Sequence, residues 1–240
     1  MASQGRWLFR WRSYLPFVAI APFAYDLQFY RWPMSSHSLQ VLWECVCIAI
    51  ASGGLAVRCY VAGHAPHGTS GRNTRGQQAE CLNTTGLYSI TRNPLYLGNY
   101  FMWLGIVLLC PALCYILAFT LAFWLYYERI VLAEEEFLLD RFDDIYREWA
   151  GRTPAFWPDY RRWVSPGLPF SIKAMLRREY TGILGIGCGW TVVHTYAHWV
   201  VERRFVIELR LILVCLASLS VYVMLRAIKK HTGMLEAPGR

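Results

Sequence analysis

A chain of 240 residues with 55% hydrophobic and only 17% charged residues cannot cover a globule of its own size with polar surface. This composition excludes an ordinary water-soluble enzyme and is typical of a chain that faces lipid. The net charge of +8 does not indicate nucleic-acid binding, because the basic residues stand beside apolar runs, where anionic lipid is the simpler partner. The eight cysteines form no paired CxxC knuckle, and we interpret most of them as small buried side chains.

The predicted elements are helices, because only a helix satisfies its own backbone polar groups in lipid, and each span needs about 20 apolar residues. Arg6, Arg10 and Arg12 precede the first apolar run, which lacks a small-residue cleavage site and is interpreted as a retained helix. We predict six spans, at 14–30, 39–61, 95–110, 112–127, 181–201 and 206–226. The expected fold class is an all-α polytopic integral membrane protein.

The third and fourth spans are separated only by Cys110-Pro111, which predicts a helical hairpin. The following stretch, 128–150, has apolar residues at helical spacing among many charges. It predicts an extension of the fourth span outside the membrane, followed by a second short helix. Pro154 should end that helix, because proline disfavours a helical conformation in the residue before it.

Lys and Arg concentrate in the N-terminus, the two long loops and the tail, and six spans place all four segments on one side. Because positively charged loops stay in the cytoplasm, we expect these segments and both termini to be cytoplasmic. We divide the chain into two N-terminal spans (1–62), a core (63–160) and two C-terminal spans with a tail (161–240).

The most informative stretch, residues 82–100, is a polar, turn-forming approach to a helix. Gly86 permits an unusual backbone angle, and Pro94 stands where a helix can begin without needing its missing N–H. The free N–H groups of that helix start favour an anion, and Arg92 adds a permanent cation. A capped transmembrane helix with an Arg reaching the interface would have the same residues, so physics alone leaves both interpretations open.

This stretch and the acidic run that follows it one helical hairpin later resemble the isoprenylcysteine carboxyl methyltransferases and the related phospholipid N-methyltransferases. The resemblance covers about residues 80–158 and rests on Leu82, Thr84, Gly86, Tyr88, Arg92, Pro94, Tyr96 and Gly98, then Glu134, Glu135, Phe142, Tyr146, 152–154 and Pro158. The chain departs from the family pattern at Asn93, where the family has a His, and at Glu80. Asn93 can form hydrogen bonds but cannot titrate.

The resemblance implies a cytoplasm-facing pocket for S-adenosylmethionine. Its expected cofactor-binding residues are Leu82, Gly86, Tyr88, Arg92, Asn93, Pro94, Tyr96, Glu134 and Glu135. The expected catalytic residues are Arg92, Asn93 and Glu134. Without the resemblance, three consecutive acids would be read as a solvated helix face, and Glu136 is expected to be a bystander.

The loop before this stretch, residues 64–75, is rich in hydrogen-bond donors and suits a phosphate or carboxylate, although an ordinary basic loop would look the same. Its Thr-Ser-Gly-Arg-Asn-Thr pattern resembles bacterial family members that methylate lipid phosphates, of the kind found on lipid A. We therefore expect Arg58, His64, Arg72 and Asn73 to bind the substrate in a bacterial inner membrane.

The expected reaction is O-methylation of a lipid phosphate, because an anionic oxygen needs no general base. Methylation of a prenylcysteine carboxylate or of an ethanolamine amine remains an alternative, with a glutamate or His64 as the base for an amine. A membrane scaffold or transporter that only keeps the fold is the non-enzymatic alternative. A nicotinamide-dependent reductase lacks a dinucleotide signature. The expected partners are the bilayer and its lipid substrate, with no nucleic acid and no required protein partner.

Further along the chain, His194, His198 and Glu202 lie four residues apart and share one helix face. Such a group can form part of a metal site, but six histidines are few for a membrane metalloenzyme. We therefore expect a polar helix face and no metal. Asp26 and Glu44 lie in predicted spans, where charge is costly, so they either function there or reach the interface from the span ends.

Overall fold

The computed structural model describes residues 7–8, 11, 18, 20–31, 37–66, 68–69, 79–205 and 207–237. Its α-helices are α1 (Ile20–Leu27), α2 (His37–His64), α3 (Leu87–Ile90), α4 (Pro94–Val107), α5 (Leu113–Arg152), α6 (Ile172–Glu202) and α7 (Leu209–His231), with a 3-10 helix at Tyr160–Arg162. Within the described residues the only β pairing is an isolated bridge between Gly86 and Val164. The predicted all-α class is confirmed.

Three helices in the described part of the chain are long and apolar enough to cross a membrane, namely Ser38–His64 of α2, α5 and α7. On α5, leucines at every fourth position are between 55% and 67% exposed, at Leu113, Leu117, Leu121 and Leu125. Residues four apart share a helix face, and so extended an apolar face suits lipid and not water. The chain is therefore an integral membrane protein, as its composition predicted.

The other predicted spans differ from these three helices. Helix α4 has 14 residues, about 21 Å of helix, whereas the hydrocarbon is about 30 Å thick. Helix α6 has 31 residues but carries buried polar side chains, including Glu179 and His194. Residues 14–17 and 19 of the first predicted span lie outside the described residues. The count of six spans thus stays a prediction.

The predicted hairpin is confirmed, because residues 108–112 alone join α4 to α5. Helix α5 then continues for 40 residues, about 60 Å, which is twice the thickness of the hydrocarbon. Its charged second half, 131–152, therefore stands outside the membrane. Asp143, with φ 40° and ψ −114°, divides this half into two helices, and the second ends at Arg152, both as the sequence predicted.

The bundle is built around α2, which packs along α4 and α6, while α6 also packs along α7. Helices α2 and α4 approach each other closely at two facing glycines, Gly54 and Gly98. A Cβ on Gly54 would lie 2.5 Å from the carbonyl oxygen of Gly98, and one on Gly98 would lie 2.9 Å from that of Gly54. Small residues allow such close approach, which matters in lipid because dispersion contacts hold helices together there.

Candidate functional site

The stretch that precedes α4 is held by the segment that follows α5. The Asn93 side-chain amide donates a hydrogen bond to the carbonyl oxygen of Ala155 at 3.0 Å. The backbone N–H of Arg92 donates to the carbonyl oxygen of Pro154 at 2.9 Å. Two segments that are about 60 residues apart in the chain thus form one structural unit beside the start of α4.

Gly86 lets this stretch turn against the returning segment. Its φ of 61° and ψ of −133° form a conformation that residues with a Cβ rarely adopt, which confirms the predicted unusual angle. Its N–H donates to the carbonyl oxygen of Val164 at 2.9 Å, and the Val164 N–H donates to Ser89 Oγ at 2.9 Å. The ring of Tyr60 from α2 also packs here, because a Cβ on Gly86 would lie 3.6 Å from it.

Arg92, Glu135 and Tyr146 meet where α4 begins and the second half of α5 passes. Nη1 of Arg92 lies 3.3 Å from Oε1 of Glu135, and their side chains are 21% and 23% exposed. The Tyr146 hydroxyl lies close enough to both for their charges to influence its pKa, but it forms no hydrogen bond of good geometry with either. Burial raises the pKa of Glu135, against the lowering effects of Arg92 and Tyr146. Burial, together with the charge of Glu135, raises the pKa of Tyr146 to about 12, so Tyr146 is a neutral hydroxyl.

This group is suited to a zwitterionic ligand. Arg92 Nε and the Tyr146 hydroxyl are buried and have no hydrogen-bond partner among the described residues, and such a group costs about 1–3 kcal/mol. Glu135 Oε1 has only its ion pair with Arg92. A cavity of about 470 Å³ adjoins Arg92 and is also lined by Thr153, Trp157 and Arg162. Small-molecule sites have volumes of about 300–1,000 Å³. Arg92 lines this cavity, whereas Glu135 contacts it only through its pair with Arg92. A carboxylate in the cavity would therefore meet the Arg92 guanidinium.

Other predicted cofactor residues surround this group. Pro94 is the first residue of α4, as predicted, and Asn93 precedes it. The carbonyl oxygen of Tyr88 accepts a hydrogen bond from Trp149 Nε1 at 3.0 Å, which joins α3 to the second half of α5. Glu134 and Leu82 are half-buried, and Glu136 is exposed. The structure thus pairs Glu135 with Arg92, and the predicted catalytic role of Glu134 stays a prediction.

Tyr96 has a packing role in the structure. Its ring lies 4.7 Å from the ring of Tyr127, centroid to centroid, which joins α4 to α5 within a larger aromatic cluster. The predicted role of Tyr96 in cofactor binding stays a prediction.

Arg58, a predicted substrate residue, joins three helices. Its Nε and Nη2 donate to the Glu179 carboxylate at 2.8 and 2.9 Å, and its Nη1 donates to Asn99 Oδ1. The pair with Glu179 neutralises the charge, so an anionic substrate would have to compete with this carboxylate. Arg72 and Asn73 lie outside the described residues, and their predicted role stays a prediction.

His64 lies at the end of α2, between the rings of Tyr60 and Phe170, with centroids 4.3 and 5.2 Å away. Its Nδ1 lies 2.9 Å from the carbonyl oxygen of Tyr60. A neutral His64 that donates from Nδ1 carries its lone pair on Nε2. Nε2 is then the ring nitrogen that remains to contact a substrate.

Trp157 and Glu179 were not predicted from the sequence, and Tyr146, although one of the residues that carry the resemblance, was not predicted as a site residue. Tyr146 follows the break at Asp143, so helical spacing from the acidic run does not lead to it. Glu179 is 121 positions from Arg58, and only the packing of α6 on α2 brings them together. Trp157 stands just before a proline, and an aromatic side chain in that loop was its only signal.

The part of the chain that resembles known proteins is the central segment that contains this site. Residues 45–145 match the model of the family described as phospholipid methyltransferase. This range contains α4, most of α5, Arg92 and Glu135, and it ends one residue before Tyr146. No solved structure matches the chain significantly.

Curated relatives match over parts of their length. The cobalt-zinc-cadmium resistance protein of Cupriavidus metallidurans is 37% identical over 83 residues, 35% of this chain and 38% of that protein. The protein-S-isoprenylcysteine O-methyltransferase of Xenopus laevis is 36% identical over 90 residues, 37% of this chain and 27% of that enzyme. The enzyme of the same name from Saccharomyces cerevisiae is 25% identical over 146 residues, 60% of this chain and 55% of that enzyme. The chain thus spans less than two thirds of these relatives.

Proposed function

Because the central part of this chain belongs to the superfamily of phospholipid and isoprenylcysteine methyltransferases, we propose that the protein methylates the headgroup of a membrane-embedded amphiphile, with S-adenosylmethionine as donor. The observation that carries the proposal is the half-buried ion pair of Arg92 and Glu135, whose arginine lines a cavity. The pair lies next to the start of α4, where the apolar half of α5 gives way to its charged half. An amphiphile can therefore stay in the bilayer while its headgroup reaches the cavity.

Each residue of the site has a distinct task in this proposal. S-adenosylmethionine, when bound, supplies a methyl group on a positively charged sulfur. Arg92 holds the carboxylate of the amino-acid part, a pairing that guanidinium geometry favours, and Glu135 holds the ammonium. The neutral hydroxyl of Tyr146 lies beside this pair and is available to donate to the ligand or to Glu135 once the site is filled. Because these residues act by alignment, their effect is on orientation, which contributes up to about 7–11 kcal/mol in favourable reactions.

We propose a lipid phosphate, such as a phosphate of lipid A, as the acceptor. A phosphate oxygen is already anionic and needs no base, and Asn93 cannot act as one. The start of α4 with Arg92 favours negative charge, and Arg72 and Asn73 add donors in the sequence just before it. Glu134 completes the acidic side of the site. We propose that the membrane is a bacterial inner membrane. The distribution of Lys and Arg favours a site that faces the cytoplasm.

A prenylcysteine carboxylate is the second candidate acceptor, because several relatives carry the name protein-S-isoprenylcysteine O-methyltransferase. Like a phosphate, this carboxylate has an anionic oxygen that can accept the methyl group without a base. An ethanolamine amine is the third candidate, and His64 Nε2 is the group that would take its proton. A scaffold or transporter with this fold would bind no cofactor.

Calorimetry on purified protein in lipid nanodiscs tests the enzyme class. S-adenosylmethionine and S-adenosylhomocysteine should each bind in equimolar amount, and Arg92→Ala should weaken both by about ten- to a hundredfold, since it removes a charge-assisted hydrogen bond. Arg147→Ala, an exposed arginine on the same helical extension, is the matched control and should bind as the wild type does. Folded protein that binds neither compound would favour the scaffold.

Labelled S-adenosylmethionine distinguishes the acceptors. Three nanodisc preparations each contain one acceptor: a lipid A phosphate, a prenylcysteine or phosphatidylethanolamine. We expect label only with the lipid A phosphate, as a phosphate methyl ester. Arg72→Ala should lower lipid turnover and leave cofactor affinity unchanged. Label that appears only on ethanolamine, together with a silent Arg72→Ala, contradicts the anionic acceptor.

A further inference from the structure

A second group of polar side chains lies at the opposite end of the bundle from Arg92. Glu44 stands 20 residues before His64 in α2, about 30 Å along the helix, which is the thickness of the hydrocarbon. Glu44 and His194 are each only 3% exposed. Neither is used by methyl transfer, and buried ionisable side chains are costly in a membrane protein, so this group needs its own explanation.

His194 is held between two carboxylates. Its Nδ1 lies 2.6 Å from Glu44 Oε1, and its Nε2 lies 3.3 Å from Glu208 Oε1. Gln40 and Trp190 both donate to the Glu44 carboxylate, at 2.7 and 3.3 Å, and fix its position. When Nδ1 donates to Glu44, Nε2 is the ring nitrogen that faces Glu208. A lone pair and a carboxylate oxygen at this distance are suited to a cation that both can bind.

His198 completes a group of three ligands. Its ring stacks on that of His194, with centroids 4.2 Å apart. One ligand atom from each of His194, His198 and Glu208 lies within 4.8 Å of the others. A tetrahedral ion with bonds of about 2.0–2.1 Å holds its ligand atoms about 3.3–3.4 Å apart. The spacing between His194 and Glu208 already has this value, whereas the stacked ring of His198, whose ligand atom lies within 4.8 Å of the others, has to turn toward them when the ion binds.

We propose that His194, His198 and Glu208 bind a divalent transition-metal ion of the Zn²⁺ class, with water as the fourth ligand. Two imidazoles and one carboxylate are a donor set that Zn²⁺ accepts. Metal-bound histidines commonly donate their other ring N–H to a carboxylate, which orients them. Glu44 is the carboxylate that would accept from His194. Glu202 Oε1 lies 3.4 Å from Nδ1 of His198 and would accept from His198.

Arg210 is the cation that the metal has to displace. Its Nη2 lies 3.5 Å from Nε2 of His194, and its Nε pairs with Glu208. The Arg210 side chain is 44% exposed, so its guanidinium can turn into water when a metal ion enters. The bound ion then joins α6 to the first turn of α7, and Glu44 extends the link to α2. Metal binding should therefore stabilise the bundle.

Cobalt spectroscopy tests the site directly. Full-length protein with a histidine-free affinity tag is stripped with a chelator and titrated with Co²⁺, then with Zn²⁺ as competitor. We expect equimolar binding, the intense visible absorption of four-coordinate cobalt and displacement by Zn²⁺. His198→Gln and Glu208→Gln should abolish the band, and Glu44→Gln should weaken affinity by about ten- to a hundredfold. His231→Gln, at the exposed end of α7, is the control and should bind normally.

Measurements on the wild-type protein test the metal site even if a variant loses its helical structure. X-ray absorption at the cobalt edge should show two imidazole ligands. No equimolar binding to helical wild-type protein overturns the site, as does a near-ultraviolet thiolate band, which would assign the metal to cysteine. Binding that survives both His198→Gln and Glu208→Gln overturns it as well, and points instead to a protonated His194 between two carboxylates.

Discussion

Glu135 and Glu136 are neighbours in the sequence with opposite surroundings. Glu135 pairs with Arg92 and is mostly buried, whereas Glu136 is exposed. The burial that raises the pKa of Glu135 also means that its charge is only partly compensated in the free protein. A bound ammonium would complete that compensation, so the position of Glu135 explains why a cofactor with an amino group is favoured.

Glu135→Gln should weaken the affinity for S-adenosylmethionine by about ten- to a hundredfold, because a hydrogen bond to a charged group contributes about 1.5–3 kcal/mol. In the wild type, affinity should also fall as the pH falls through the raised pKa of Glu135, because protonation removes the charge that attracts the ammonium. Calorimetry across pH measures both effects.

The matched control for this experiment is Glu136→Gln, which removes the same charge one position further along the helix. It should leave the affinity and its pH dependence as in the wild type. Equal losses for Glu135→Gln and Glu136→Gln would mean that net charge, and not contact with the ligand, sets the affinity.

At the scale of elements, the contact between α2 and α4 depends on glycine. A Cβ at Gly54 would meet the backbone of α4, and backbone cannot move aside as a flexible side chain can. At Gly53, on the same helix, a Cβ would meet nothing within 4 Å. The same substitution at adjacent positions therefore has opposite expected effects.

Gly54→Ala should destabilise the protein by about 1–3 kcal/mol, the usual cost of overpacking, because the two helices must separate. Gly53→Ala should be neutral or should stabilise by up to about 1 kcal/mol, since alanine is the better helix former. Thermal loss of helicity in detergent measures the difference. Equal melting temperatures for the two variants would show that α2 and α4 do not pack through Gly54.

For the whole molecule, the two ends of the bundle differ in chemistry. One end carries Arg92, Glu135 and the charged half of α5, and the other carries Glu44, His194 and Glu208. The helices hold these groups apart by about the thickness of the membrane. Methyl transfer and metal binding are therefore expected on opposite faces.

Topology mapping tests this arrangement. Reporter fusions at the N- and C-termini should both report the cytoplasm, because the segments rich in Lys and Arg fall on one side of six spans. A reporter inserted at 108–112 should report the other side. Termini on opposite sides would rule out an even number of spans.

Much of the fold was predictable because its signals are local. Composition alone required lipid-facing helices, since the chain has too few charged residues to cover them. The start of α4 at Pro94, the hairpin at Pro111 and the end of α5 at Arg152 follow from proline, which acts on its immediate neighbours. The resemblance directed attention to Arg92 and the acidic run, and Glu135 of that run pairs with Arg92. The roles predicted for these residues stay predictions.

Contacts between side chains on different helices could be identified only from the tertiary structure. Helical spacing showed that His194 and His198 share a face, but Glu44, 150 positions away, reaches them only because α2 packs on α6. Arg58 was expected to bind substrate and is found paired with Glu179 for the same reason. Periodicity determines which side chains share a face of one helix, whereas the rotation and depth of each helix against its neighbours depend on close packing at residues such as Gly54.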